Sequence, residues 1–334
     1  GCGVLLTTHY LEEAEALATR IAMLKKGRLA ALAGPGGAET VHAARVVAAD
    51  GARSPIRERL GVTRSGPGPL AAPATNVYFR ADLREVLGDL RFNLCSIEHP
   101  AAPGALASID GRYRWVFMGG RAERTDAGWP ELLRTALGAD VDDLEILSEL
   151  VWQPEMRIAD RFSVGPVHLA GDAAHVMPPW AAAGANTGLA DVHNLAWKIA
   201  AVLRGQAHPA LLDSYQTERL PASRFAAEQS VARSGVDLRT MLTAPDPVAA
   251  HPLVMAAGGF RYPDGALAPD DGPEGPEPVT EFAPAGRVGT RIPHAWLDDA
   301  RTRSTLDLAG PDWAIAVADG PGAPQRPDGV ALLP

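Results

Sequence analysis

Residues 171–205 read GDAAHVMPPWAAAGANTGLADVHNLAWKIAAVLRG. The apolar run Val167-His168-Leu169-Ala170 before them has the length and character of a buried strand. It delivers Gly171-Asp172 to its C-terminal end, where open α/β sheets bind their ligands. A carboxylate placed there accepts hydrogen bonds from sugar-like hydroxyls. A loop, 173–188, follows, and its Pro178-Pro179 pair stiffens it. Leu189, Val192, Leu195, Ile199 and Val202 then recur at helical spacing, which predicts a helix over 189–204 with that face inward and Gly205 as its stop. Gly184-x-Asn186-Thr187-Gly188 falls just before this helix. Free backbone N–H groups and the helix dipole make such a position attractive to anions. A bare Gly-Asp is more often a strand-end turn; only the whole run points to a ligand.

Working outward, Arg45 to Ala49 reads as a second buried strand ending in Asp50-Gly51. Ser54 suits an N-cap, Pro55 the first helical position and Gly61 the residue after the helix, so 45–61 predicts strand, turn and short helix. Between the two strands, residues 76–152 read mostly as β. Val77-Tyr78-Phe79 and Tyr113 to Met118 are strand-like, and Asp110-Gly111 predicts a hairpin. Trp129 to Leu137 is helical, and Leu144 to Trp152 is a strand. Phe79, Tyr113, Trp115 and Trp152 serve equally well as core or as pocket lining. A helix is expected over about 210–233. Residues 257–286 are rich in Pro, Gly, Asp and Glu and read as a linker. At the other end, 4–33 read as strand, helix (Leu11 to Arg20) and a hairpin from Ile21–Leu24 through Lys26-Gly27 into Arg28–Ala33, closed by the Gly34-Pro35-Gly36-Gly37 break.

The chain has 334 residues, enough for two or three cores, with 46% hydrophobic and 21% charged residues. A net charge of −9 argues against nucleic acid and anionic membrane surfaces as partners. Cys2 and Cys95 are too few for a disulfide framework, so a reducing cytoplasm is the expected location. No apolar run approaches the ~20 residues that span a bilayer. His175 lacks ligand spacing, so no metal site is expected. There is no Ser-His-Asp pattern, and no catalytic residue is assigned.

The run over 171–205 is similar to the second FAD motif of the para-hydroxybenzoate hydroxylase-like flavoprotein monooxygenases. Asp50-Gly51-Ala52-Arg53-Ser54, roughly 120 residues earlier, resembles the family's other signature, near FAD and the path of NAD(P)H. Leu211-Leu212-Asp213-Ser214-Tyr215-x-x-Glu218-Arg219 resembles the helix after the second motif, and plain helix packing would explain it too. The resemblance implies that Gly171, Asp172, Pro178, Gly184, Asn186, Thr187, Gly188, Asp50, Gly51 and Arg53 lie at the cofactor. A helix N-terminus aimed at the pyrimidine edge of a reduced flavin would stabilise the charge there. It further implies a mixed α/β fold. The FAD-binding segments would be 41–75 and 153–235, the β-rich substrate domain 76–152, a helix and linker 236–286, and a thioredoxin-like piece 287–334 that looks cut short. The implied activity is hydroxylation of a phenolic or polyketide-like aromatic with FAD, NAD(P)H and O₂; oligomerisation stays open.

Three departures qualify that implication. The family's N-terminal Gly-x-Gly-x-x-Gly, which approaches the FAD pyrophosphate, does not occur anywhere in the sequence; Gly1-Cys2-Gly3, Gly34-Pro35-Gly36-Gly37 and Gly66-Pro67-Gly68 all fail its spacing or setting. The expectation is a chain lacking most of the first nucleotide-binding half, either an impaired enzyme or an inactive remnant. Residues 4–35 instead resemble the C-terminal part of an ABC transporter ATPase, with His9 at the switch-histidine position. No P-loop accompanies it, so His9 has no phosphate to act on, and the junction near 34–40 reads as a fusion, a rearranged gene or a mis-drawn reading frame. Finally, Trp180-Ala181-Ala182-Ala183 stands where family members often carry glycines, and alanine resists positive φ.

Overall fold

The computed structural model describes residues 21–25, 28–34, 37–39, 43–120, 128–233, 262, 264–266, 289–290, 292, 294–307, 315–316 and 332–333. His9, the Gly1-Cys2-Gly3 stretch, the expected Leu11–Arg20 helix and most of the 257–286 linker lie outside them.

In chain order come β1 (Ile21–Lys25), β2 (Arg28–Gly34), β3 (Gly37–Glu39), β4 (Val46–Ala48), α1 (Pro55–Arg59), β5 (Arg64–Pro69) and β6 (Ala74–Arg80). Then follow α2 (Arg84–Leu87), β7 (Leu94–Ile97), β8 (Gly104–Ser108), β9 (Arg114–Gly120), α3 (Gly128–Leu137), β10 (Glu145–Trp152) and β11 (Glu155–Ala159). The last labelled elements are β12 (Ser163–Val164), β13 (Val167–Leu169), α4 (Ala183–Leu203) and α5 (Asp213–Ala232). The chain divides into two units: residues 1–63, 159–175 and 180–334 form one, and 64–158 with 176–179 form the other.

In the second unit, five antiparallel strands run in the order β10-β6-β9-β8-β7. The β8–β9 hairpin forms where Asp110-Gly111 predicts it. Asp110 Oδ1 accepts the N–H groups of Arg112, Tyr113 and Arg114, and Gly111 takes φ +72°. The sheet alternates: Val77, Phe79, Leu106, Trp115 and Phe117 turn inward and pack with Leu133 of α3. Phe79 and Trp115 are therefore core. Trp152 is half-buried and donates its indole N–H to Asn76 Oδ1 at 2.8 Å.

In the first unit, β4 pairs in parallel with β13, with Val46 opposite Val167 and Ala48 opposite Leu169, and β12 continues the sheet. The hairpin β1–β2 and a return strand β3, through the Gly34–Gly37 break, are antiparallel. The helix expected to start at Leu189 starts six residues earlier, at Ala183. Ala183 and Ala185 favour helix, and Gly184, second in the helix, weakens it by only about 1 kcal/mol, so the helix extends through the run. Its buried face also differs from the apolar stripe expected. Leu189 and Val192 are exposed, at 65% and 41%, while Thr187, Asp191, Asn194, Leu195 and Lys198 are buried. The reason lies in α5, which presents buried Glu218 and Arg219 to that face. Among the described residues, no helix is long and apolar enough to cross a membrane.

Candidate flavin site

The parallel β4–β13 pair sets the site. Because the strands are in register and point the same way, Asp50-Gly51 and Gly171-Asp172 leave the same sheet edge side by side. Each motif then turns. Gly51 takes φ +83° and Gly171 φ +59°, the left-handed region that glycine enters without a Cβ penalty.

After the first turn, Ser54 caps α1: its Oγ accepts the Arg57 N–H at 2.9 Å. Asp50 Oδ2 accepts the Ile56 N–H at 3.2 Å, a carboxylate on a helix N-terminus. Asp50 Oδ1 is sealed from solvent and has no partner among the described residues. Arg57, which the sequence reading passed over, is only 2% exposed. Its guanidinium donates to the carbonyls of Ala52 and Ala173, joining the two motif turns. Arg53, by contrast, is exposed.

The second turn is held from behind by one carboxylate. Asp191 of α4 accepts the Gly171 N–H at 3.0 Å and His175 Nε2–H at 2.6 Å, both on Oδ2, while Arg219 Nε donates to Oδ1 at 2.8 Å. Burial alone would push this carboxyl up, but the His175 and Arg219 hydrogen bonds and charges outweigh it and hold it below the usual carboxylate range. Arg219 also donates to the Thr187 carbonyl and to Tyr262 Oη. Between the clamped ends, Asp172 is exposed. Partial burial pushes its carboxyl up, an effect His175 opposes and the remaining accessible surface limits.

Gly184 is the second residue of α4, and Asn186, Thr187 and Gly188 lie inside its first turns rather than ahead of it. The Asn186 amide and the Thr187 hydroxyl bond back to the carbonyls of Ala182 and Ala183. What α4 offers outward is therefore the backbone N–H groups at Ala183, Gly184 and Ala185. Gly188 instead admits close packing, since a Cβ there would stand 3.3 Å from Gly171 Cα. The N-cap Ala182 adopts φ +50° with alanine in place of glycine. Pro178 is buried and belongs to the second unit.

These residues fit a flavin cofactor on its sugar-alcohol and ring side. An accessible carboxylate at a strand end, two positive-φ glycines, a helix N-terminus and the sealed, unpaired Asp50 Oδ1 supply acceptors and donors for that portion. Ser163 Oγ and His168 Nδ1 are 2.9 Å apart, but His168 Nε2 has no partner among the described residues, so no hydrolytic triad forms there. Among the described residues there is no His/Cys/Asp/Glu cluster able to hold a metal.

The second unit carries a cavity of about 670 Å³ walled by Leu87, Phe92, Trp115 and the arginines Arg84, Arg91 and Arg112. It lies at the Arg80–Arg114 end of the sheet, away from the Ala74–Trp152 end.

The polar partners of the Gly171 turn were missed in the sequence. A signal was present: Asp191, Asn194 and Lys198 recur at spacings of three and four, a polar stripe on a helix, answered by the adjacent charges Glu218-Arg219.

Comparison with known proteins points the same way. The chain is 40% identical over 286 residues to a putative polyketide hydroxylase of Streptomyces halstedii, covering 80% of this chain and 50% of that protein. It is 40% identical over 300 residues to the tetracenomycin B2 monooxygenase-dioxygenase of Streptomyces olivaceus, covering 86% and 54%. The fold superposes on the crystal structure of a ternary complex of aklavinone-11 hydroxylase with FAD and aklavinone, with TM-score 0.72, 35% identity and coverage of 86% and 55%. The chain thus spans about half the length of the relatives it matches. A family model described as an FAD binding domain matches residues 26–230, and the chain belongs to that FAD-binding family.

Proposed function

We propose that this chain is an FAD-dependent monooxygenase that hydroxylates a phenolic or polyketide-like aromatic at the expense of NAD(P)H and O₂. The observation that carries the reading is the convergence of Asp50-Gly51 and Gly171-Asp172 at one edge of the β4–β13 pair, bridged by Arg57. The names of the relatives, polyketide hydroxylase and tetracenomycin monooxygenase-dioxygenase, support the reaction class. Bound FAD would take hydride from NAD(P)H and activate O₂. Asp172 would accept hydrogen bonds from the ribityl hydroxyls, and the first N–H groups of α4 would stabilise charge on the ring. Residues 76–152 supply the substrate sheet, and 287–334 a thioredoxin-like piece.

An ATPase reading of 4–35 has no P-loop to support it. The deciding experiment is a visible absorption spectrum after incubation with FAD and desalting, followed by NAD(P)H oxidation with candidate phenols. Retained yellow colour and phenol-stimulated oxidation support the enzyme. A colourless protein that leaves NAD(P)H unoxidised overturns it.

A further inference from the structure

We propose that Asp191 is a positioning residue for the flavin site, acting through the Gly171–His175 turn to present Asp172. This rests on the flavin reading above. One oxygen, Asp191 Oδ2, holds both ends of the five-residue segment 171–175: the Gly171 N–H at 3.0 Å and His175 Nε2–H at 2.6 Å. Asp172 is the exposed member between those two anchors. Fixing both ends to a single atom leaves the segment little freedom, so the orientation of Asp172 is set before any ligand arrives. Such preorganisation spares the cost of ordering the turn on binding.

The clamp is itself fixed. Asp191 and the His175 side chain are fully buried and Arg219 is 1% exposed, so the charges meet where water cannot screen them. Arg219 spans the carboxylate and the Thr187 carbonyl, so the same hub ties the turn to the first turns of α4. His175 Nδ1 has no partner among the described residues, so the ring makes its hydrogen bond only toward Asp191. A purely structural ion pair would need Arg219 and Asp191 alone. Here the second carboxylate oxygen is given wholly to the Gly171 turn.

The geometry makes Asn a discriminating substitution. Its single carbonyl oxygen can serve Arg219 or the turn, but not both, and its amide then faces a donor. The test measures the affinities of riboflavin and lumiflavin, which lacks the ribityl chain, for the unaltered chain, Asp172→Ala, Asp191→Asn and the double variant. Flavin fluorescence quenching reports binding, and amide hydrogen exchange reports the Gly171 N–H. Asp191→Asn should release that amide to exchange and weaken riboflavin about tenfold, one lost hydrogen bond to a charged group. Lumiflavin affinity should be unchanged. The double variant should bind riboflavin no worse than Asp172→Ala, because the two act through one contact. Glu218→Gln, which removes the counter-charge of buried Lys198, controls for lost stability and should leave the ratio of the two affinities unchanged. If Asp191→Asn does not fold, His175→Phe removes one arm of the clamp and should shift the same ratio in the same direction. Failure of the unaltered chain to bind riboflavin, or no loss with Asp172→Ala, overturns the flavin reading and this inference with it. Loss with Asp172→Ala but not with a folded Asp191→Asn, or additive effects in the double variant, overturns the positioning role alone.

Discussion

The Arg57 guanidinium donates to the Ala173 carbonyl at 3.0 Å, across 116 positions of sequence, and so locks α1 to the turn that follows β13. Replacing Arg57 by Met keeps the aliphatic stem and leaves two carbonyls, of Ala52 and Ala173, without their donor. The expected loss is about 3 kcal/mol. Lys should not restore it, since one ammonium cannot reproduce a forked donor. Urea unfolding checks this; an unchanged midpoint for Arg57→Met would contradict the bridge.

Ala182 holds φ +50° without the freedom of glycine. A left-handed alanine carries a penalty of about 1 kcal/mol. Ala182→Gly should therefore raise stability by about that amount, and Ala182→Val should lower it, both read by thermal denaturation. If glycine gives no gain, the α4 N-cap is not strained as described.

The depressed carboxyl of Asp191 makes stability depend on acid. Its folded value lies below the ordinary 3.8 it regains on unfolding, so the unfolded chain binds the extra proton first. The contribution is present above that ordinary value and is lost as pH falls toward the folded one. Asp191→Asn should flatten this part of the acid limb and lower stability at neutral pH. Unfolding free energies from pH 2 to pH 7 test the slope, and an identical limb in both proteins would refute it.

Two glycines of the second unit should respond unequally to alanine. Gly111 has φ +72° with open space around it, so Gly111→Ala costs only the left-handed penalty, about 1 kcal/mol. Gly66 has φ +129°, and a Cβ there would come within 2.6 Å of the Met156 carbonyl oxygen, so strain and backbone displacement combine to about 3 kcal/mol. Equal losses would show that β5 has room to yield.

Much of this was legible in the sequence because it depends on local chemistry. The Ser54 cap, the Pro55 start, the Asp110-Gly111 hairpin and the strand ends at Asp50 and Gly171 each follow from neighbours in sequence. The extent of α4 did not, since Gly184 reads locally as a break and is drawn into helix with Ala183 and Ala185 by the chain beyond it. Nor did its inward face: Leu189 and Val192 promised an apolar stripe, and Asp191, Asn194 and Lys198 form the buried one. That choice is made by Glu218 and Arg219, whose effect on α4 exists only once the two helices meet. Arg57 was illegible for the same reason, because both its acceptors are carbonyls and one is far along the chain.

The pairing of β4 with β13 has a kinetic meaning as well. Val46 meets Val167 only after a segment of roughly 120 residues has been closed into a loop, and loop entropy opposes this while the segment is a random coil. Within that segment β5 and β11, its entry and exit, are neighbours in one sheet. Once the insert has folded, the loop shrinks to the few residues outside those strands. Topology thereby favours closing the β4–β13 pair after the insert has condensed.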